Sequence, residues 1–178
     1  MRTIEGKKTI LFDFMKDDFD YFFKLFKNGS HFRCHDLIYL GDEEQIEFTL
    51  TNYLDNSSFE MFLAKTMQGK NSRNVGVFMI EYKKDYIAKI RFIPDSKYIS
   101  GLSKYLKGEK ISYLEDALKA ILMYLKDFKR LETKVPKSDV LMKKLFKKIG
   151  FKKEGILESY GNIDDNYFDV VIFGKVKE

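Results

Sequence analysis

The hydrophobic positions change period several times along the chain, and each change predicts an element. Ile10, Phe12 and Phe14 alternate with other residues over Thr9 to Phe14, the pattern of a strand. Asp17 then stands where a helix N-cap would. Phe19, Phe22, Phe23 and Phe26 follow at the i, i+3, i+4, i+7 spacing of one buried helix face, and Asn28-Gly29-Ser30 ends that helix. A second helix starts at Asp42, where Asp42 and Gln45 have capping-box spacing, and turns Ile46, Leu50 and Leu54 inward. From Phe59 the period changes. Phe59 to Thr66 and Val75 to Tyr82 read as a β-hairpin around a polar loop containing Gly69 and Asn71. A third strand over Tyr86 to Ile93 stops at Pro94, which has no N–H to donate.

The strongest helical pattern opens at Ser112. Ser112 and Glu115 have the S-x-x-E spacing of a capping box, and Leu114, Ala117, Leu118, Ile121, Leu122, Leu125 and Phe128 form one stripe behind it. Arg130 to Val135 is a short strand ended by Pro136. Ser138 caps a further helix that buries Leu141, Met142, Leu145, Phe146 and Ile149, with Gly150 as its stop. Glu154 to Tyr160 and Tyr167 to Val176 then pair antiparallel across a Gly161–Asn166 loop. This order predicts an α/β (α+β) fold: a mixed, mostly antiparallel sheet of about seven strands flanked by about four helices, in one domain over residues 1–178. The strand–helix–strand unit over residues 86–135 is a right-handed crossover. The N-terminus of its helix points to the carboxyl ends of the strands, where free backbone N–H groups and the helix dipole suit an anion.

Composition removes several alternatives. With 44% hydrophobic and 33% charged residues, the chain is neither disordered nor fibrous. Its longest apolar stretches, Val75 to Ile80 and Ala120 to Leu125, fall far short of the ~20 residues that cross a bilayer. The basic N-terminus lacks the apolar core of a secretion signal, so a cytoplasmic address is expected. Cys34 is the single cysteine, which excludes an intrachain disulfide, a zinc ribbon and an iron–sulfur cluster. His31, Cys34, His35 and Asp36 are too crowded to close a tetrahedron by themselves and read as an ordinary loop, so no metal is expected. The formal charge of +5 favours anionic partners without identifying one. Lys137, Lys143, Lys144, Lys147, Lys148, Lys152 and Lys153 are the solvated side of the last helix, or reach a phosphate group. No RNA-recognition motif accompanies them, and nucleic-acid binding rests on charge alone.

The element order and the segment Lys107-Gly108-Glu109-Lys110-Ile111-Ser112 through Leu118 resemble the acetyl-CoA-binding core of GNAT N-acetyltransferases. The stretch Lys148-Ile149-Gly150-Phe151-Lys152-Lys153-Glu154-Gly155 resembles that family more closely still. The last strand, Asn166 to Gly174, is similar to the branch that acetylates ribosomal-protein N-termini and related amines. The resemblance implies a sheet splayed between Tyr86–Ile93 and Arg130–Val135, with the pantetheine arm of acetyl-CoA in the gap and its pyrophosphate on Lys107, Gly108, Glu109, Lys110, Ile111 and Ser112. It also implies cofactor contacts from Ile93, Asp139 and Phe146.

Four departures accompany this likeness, two of them Asp139 where the family often has a cofactor-contacting asparagine and Met142 where it often has serine. Lys110 and Ser112 stand where the family's phosphate loop usually has glycine, and Phe146 where many members carry the tyrosine that reprotonates the leaving thiolate. The activity implied is transfer of an acetyl group to a primary amine, on a small molecule or a protein N-terminus, by direct attack. Glu81, Asp95 and Glu132 are the candidate bases, and Tyr98 and Tyr113 alternative proton donors. The alternatives are a GNAT-shaped binding or regulatory protein without transfer activity, and a basic nucleic-acid-binding module. Edge strands such as Tyr167–Val176 offer a route to a homodimer.

Overall fold

The computed structural model of the chain describes residues 2–27, 42–67, 69–99, 109–163 and 166–177. Eight strands and five α-helices follow in the order β1 (Thr3–Glu5), β2 (Thr9–Asp13), α1 (Phe19–Lys27), α2 (Glu43–Asp55), β3 (Phe59–Thr66), β4 (Asn74–Lys83), β5 (Ile87–Pro94), α3 (Ser96–Ile99), α4 (Glu109–Tyr124), β6 (Arg130–Pro136), α5 (Val140–Lys148), β7 (Lys152–Ile163) and β8 (Asn166–Val176). The strands form one sheet in the order β1-β2-β3-β4-β5-β6-β8-β7. Only β5 and β6 run parallel, joined by the crossover through α4. The class is the one predicted. The two elements that sequence reading missed, β1 and α3, are too short to show a period.

Helices cover both faces. α4 and α5 pack Leu114, Ala117, Leu118, Ile121, Leu141, Leu145 and Phe146 against Phe62, Phe78, Ile90, Phe92, Leu131 and Phe173. On the other face, Phe19, Phe22 and Leu25 of α1 and Ile46 and Leu50 of α2 meet Met61, Leu63, Val77, Met79 and Ile93. The phenylalanine stripe of α1 is thus a core face. α2 begins as predicted, with the Asp42 carboxylate accepting from the Gln45 amide at 2.8 Å, a cap worth about 1 kcal/mol.

Three other helix starts differ from the sequence reading. Asp18, not Asp17, closes the turn before α1, its carboxylate accepting from the Met15 amide at 3.0 Å. Asp139, not Ser138, caps α5 by accepting from the Met142 amide at 2.9 Å. α4 starts at Glu109, so Ser112 lies inside its first turn rather than at its N-cap. Ile111 packs against the core and carries the helix further back than the S-x-x-E spacing implied. Glu115 is engaged instead by Lys119 at 2.7 Å and by Lys148 of α5 at 2.6 Å.

The first hairpin is fastened to α4 by one carboxylate. Asp116 accepts from the amides of Lys7, Lys8 and Thr9 and from the Thr9 hydroxyl, all at 2.8–3.1 Å. Burial pushes its pKa up, but these bonds outweigh burial and hold the carboxyl below its ordinary value. A side chain at Gly6 would drive its Cβ to 2.3 Å from the Asp116 carboxylate, so only glycine lets the turn close over the helix.

Candidate active site

The sheet opens between β5 and β6. Their parallel register is Ile87↔Arg130, Ala88↔Leu131 and Lys89↔Glu132, and it stops there, while β5 continues to Pro94 and β6 to Pro136. Each strand stays paired on its far side, β5 with β4 as far as Pro94 and β6 with β8 as far as Pro136. Strand alternation fixes which backbone groups face the opening. The Asp95 amide bonds to the Val75 carbonyl, so odd-numbered residues of β5 point their backbone groups at β4, and those of Ile90 and Phe92 point into the gap. The Lys137 amide bonds to the Asp169 carbonyl, so the gap-facing backbone groups of β6 belong to Lys134 and to Pro136, which has only a carbonyl.

This register explains why each strand takes in the proline that sequence reading gave as its stop and ends on it. At Pro94 and Pro136 the missing N–H faces the opening, where no ladder bond is lost. Gly76 of β4 lies opposite Pro94, and a Cβ there would sit 2.5 Å from the Ile93 carbonyl oxygen. The lip of β5 therefore depends on this glycine.

One buried polar group marks the gap. Thr133, the first β6 residue past the last pair with β5, is 4% exposed, and its hydroxyl has no hydrogen-bond partner among the described residues. An orphaned buried hydroxyl costs about 1–3 kcal/mol, which a ligand offering a polar atom would recover.

The two faces of the opening differ. Ile90, Phe92, Leu131 and Val135 belong to the core under α4 and α5, which closes that side. Alternation puts Lys89, Arg91, Glu132 and Lys134 on the opposite face, where the apolar packing under α1 and α2 ends at Met79 and Ile93. Arg91 is 8% exposed and bonds Glu81 at 2.7 Å. Lys134 reaches the Tyr160 hydroxyl at 2.5 Å. Tyr160 is delivered by an irregularity of β7 between Leu157 and Gly161, where Ser159 has φ 48°.

The predicted site residues scatter around this opening. Lys107 and Gly108 lie outside the described residues, as do His31, Cys34, His35 and Asp36; among the described residues, no group of three or more His, Cys, Asp and Glu could hold a metal ion. Glu109, Lys110, Ile111 and Ser112 form the first turn of α4, whose N–H groups have no intrahelical acceptor. The Ser112 hydroxyl accepts from Lys8 Nζ at 3.0 Å. Ile93 turns its backbone to Val77, and the gap-facing positions go to its neighbour Phe92 and to Ile90. Asp139 is the cap of α5. Phe146 is 2% exposed, its ring 5.2 Å from that of Phe151 and 6.2 Å from that of Phe173.

Of the candidate bases, Glu132 stands at the last pair before the opening, bonded to Arg130 at 2.7 Å. Burial raises the pKa of Glu81, but Lys83 and Arg91 hold it below the ordinary range. Asp95 follows the lip of β5 and accepts from the Tyr21 hydroxyl at 3.0 Å and from Lys97 Nζ at 3.0 Å. Tyr98 and Tyr113 are buried, edge to face at 6.3 Å. Burial, and then Asp95, push the Tyr98 pKa up.

Sequence reading missed Thr133, Lys134 and Arg91. Arg91 had a signal, a guanidinium amid the apolar residues Ile90, Phe92 and Ile93; the other two had none. A cavity of about 1130 Å³ lies beside α4, the first hairpin and the end of α5; Ser112, Lys119, Leu131 and Lys148 line it, but Arg91, Thr133 and Lys134 do not.

Residues 35–172 match the family model of the acetyltransferase (GNAT) domain. The chain belongs to the GNAT acetyltransferase family. Solved GNAT structures share its fold. One is the Salmonella typhimurium acetyl transferase that modifies the N-terminal serine of the 50S ribosomal subunit protein L7/L12, at TM-score 0.73 and 13% identity, covering 99% of this chain and 100% of that one. RimL, the ribosomal L7/L12 alpha-N-protein acetyltransferase, solved with coenzyme A, has TM-score 0.73 and 13% identity over 98% of both chains. The spermidine N-acetyltransferase of Vibrio cholerae, solved with CoA and spermine, has TM-score 0.70 and 15% identity over 96% of both. No curated protein sequence matches this GNAT chain. Among the described residues, no helix is long and apolar enough to cross a membrane.

Proposed function

We propose that this GNAT protein is an acetyl-CoA-dependent N-acetyltransferase that acts on a primary amine of a small molecule or a protein N-terminus. The opening of β5 from β6 beyond Lys89 and Glu132 carries the reading, with the orphaned Thr133 hydroxyl at its base. Gap-facing N–H and C=O groups of Ile90, Phe92 and Lys134 fit a ligand that carries amides, since it can bond to each strand edge as a further strand would. The first-turn N–H groups of α4, at Glu109 to Ser112, suit a pyrophosphate without requiring glycine at Lys110 or Ser112, because backbone N–H groups do the binding.

Acetyl-CoA supplies a thioester whose carbonyl carbon forms a C–N bond with the amine as its C–S bond breaks; the amine gives up a proton and the thiolate takes one. The gap-facing amides position the reacting carbonyl and stabilise charge on its oxygen. Glu132 is the carboxylate assigned to accept the amine's proton, directly or through water, because it stands at the base of the opening on the face opposite α4 and α5. Glu81 serves to hold Arg91.

A second reading, a GNAT-fold binding protein without transfer, is favoured by Phe146, which brings no proton and is sealed in the core. Calorimetry with acetyl-CoA and thiol release with an amine panel separate the two. Micromolar binding with thiol release supports the transferase, and Glu132→Gln then lowers kcat about 10²-fold. Binding without release supports the second reading, and absence of binding overturns both.

A further inference from the structure

Among the described residues, the face of the gap opposite α4 and α5 is positively charged. Of those residues, Lys83, Lys89, Arg91, Arg130 and Lys134 share it with the carboxylates Glu81, Glu132 and Glu154, and with Asp95 just past the lip of β5, and each of these is already engaged, Asp95 by Tyr21 and Lys97. Glu81 is held by Arg91 at 2.7 Å and also contacts Lys83, while Arg130 binds both Glu132 and Glu154. Continuing the β5–β6 register past Lys89↔Glu132 puts Arg91 and Lys134 on opposite lips of the opening, on this same face. Both side chains are held in place, Arg91 by Glu81 and Lys134 by the Tyr160 hydroxyl at 2.5 Å, with the ammonium 4.2 Å from that ring's centroid. α4 and α5 close the other face, so the side chains of these two cations flank the gap on the face left to an acceptor.

We propose that the acceptor is an amine carrying an anionic group, a carboxylate or phosphate, close to its nitrogen, and that Arg91 and Lys134 select it. Among the described residues a polycation finds no uncompensated carboxylate here and is repelled. The same cations favour the unprotonated form of the bound amine, the form that attacks. This inference rests on the transferase reading, but its test does not need turnover. Free acidic amino acids and acidic peptide N-termini share the chemistry, and the probes tell them apart.

Binding of Ser-Glu-Glu-Ala amide, Ser-Arg-Arg-Ala amide, L-glutamate and spermidine to the full chain is measured calorimetrically, with and without saturating CoA, at low and high salt. At least one of the acidic peptide and L-glutamate binds about tenfold or more tightly than both the basic peptide and spermidine, with a margin that shrinks as salt rises. The better of the two shows whether a peptide or a free amino acid is the natural source. Lys134→Glu abolishes or reverses the preference, and Lys134→Met, which keeps the aliphatic stem, reduces it; thermal unfolding checks that both variants fold. Spermidine or the basic peptide binding as tightly as the acidic probes, or an unchanged preference in Lys134→Glu, overturns the proposal. If CoA fails to bind, the transferase reading falls, while the acidic-over-basic preference of the same protein still decides the charge selection.

Discussion

Pro94 and Pro136, the only prolines in the chain, end β5 and β6 at positions whose missing N–H faces the opening between those strands. A residue with an N–H at either place would offer the opposite strand a donor. Neither proline can, so the gap cannot zip shut through these positions. The separation that begins after Lys89 and Glu132 is thus supported by local chemistry at both lips as well as by the packing behind them.

Thr133 sits at the base of that separation. Thr133→Val keeps the shape and removes a buried hydroxyl that has no partner, so urea denaturation should show unchanged or slightly raised stability of the ligand-free protein, by up to about 1 kcal/mol. CoA affinity, read by calorimetry, should fall several-fold in the same variant. Unchanged affinity would mean that the hydroxyl does not meet the ligand.

Asp116 makes stability depend on pH. Its carboxyl is held below the ordinary value of 3.8, so its contribution is present in full above that pH and is lost as pH falls through the lower folded value. Asp116→Asn should cost about 2 kcal/mol at neutral pH by weakening the bonds to Lys7, Lys8 and Thr9. It should also flatten the loss of stability below about pH 4. Urea denaturation from pH 3 to 7 checks both, and parallel curves for the two proteins would rule the linkage out.

Phe146 offers a test of the missing phenol. Phe146→Tyr would put a hydroxyl into a site that is 2% exposed, beside Phe151 and Phe173, and should lower stability by about 1–2 kcal/mol. Transfer activity should not rise. A gain in kcat with no loss of stability would show that the para position reaches the gap.

Much of this architecture was written locally. The stripe through Leu114, Ala117, Leu118 and Ile121, the alternation in β3 to β6 and the Asp42 cap each depend on neighbours a few residues apart, and the sequence displays those neighbours directly. The run from Lys148 to Gly155 and the order of elements pointed to the family that the chain belongs to. Helix starts were less legible, because several side chains near each end can cap it. Packing chose Asp18, Asp139 and the turn at Glu109 over Asp17, Ser138 and Ser112.

The amino-acid order by itself determined the elements, the fold class and the likeness to the GNAT acetyltransferases, since propensity, period and motif act over a few consecutive residues. The tertiary structure alone decided that Thr133 is left without a partner, that Arg91 and Lys134 stand on opposite lips of the gap, and that Asp116 clasps the first hairpin. Those facts depend on strand register and on contacts between residues as far as 109 positions apart, and nothing in a local pattern encodes which distant group a side chain will meet.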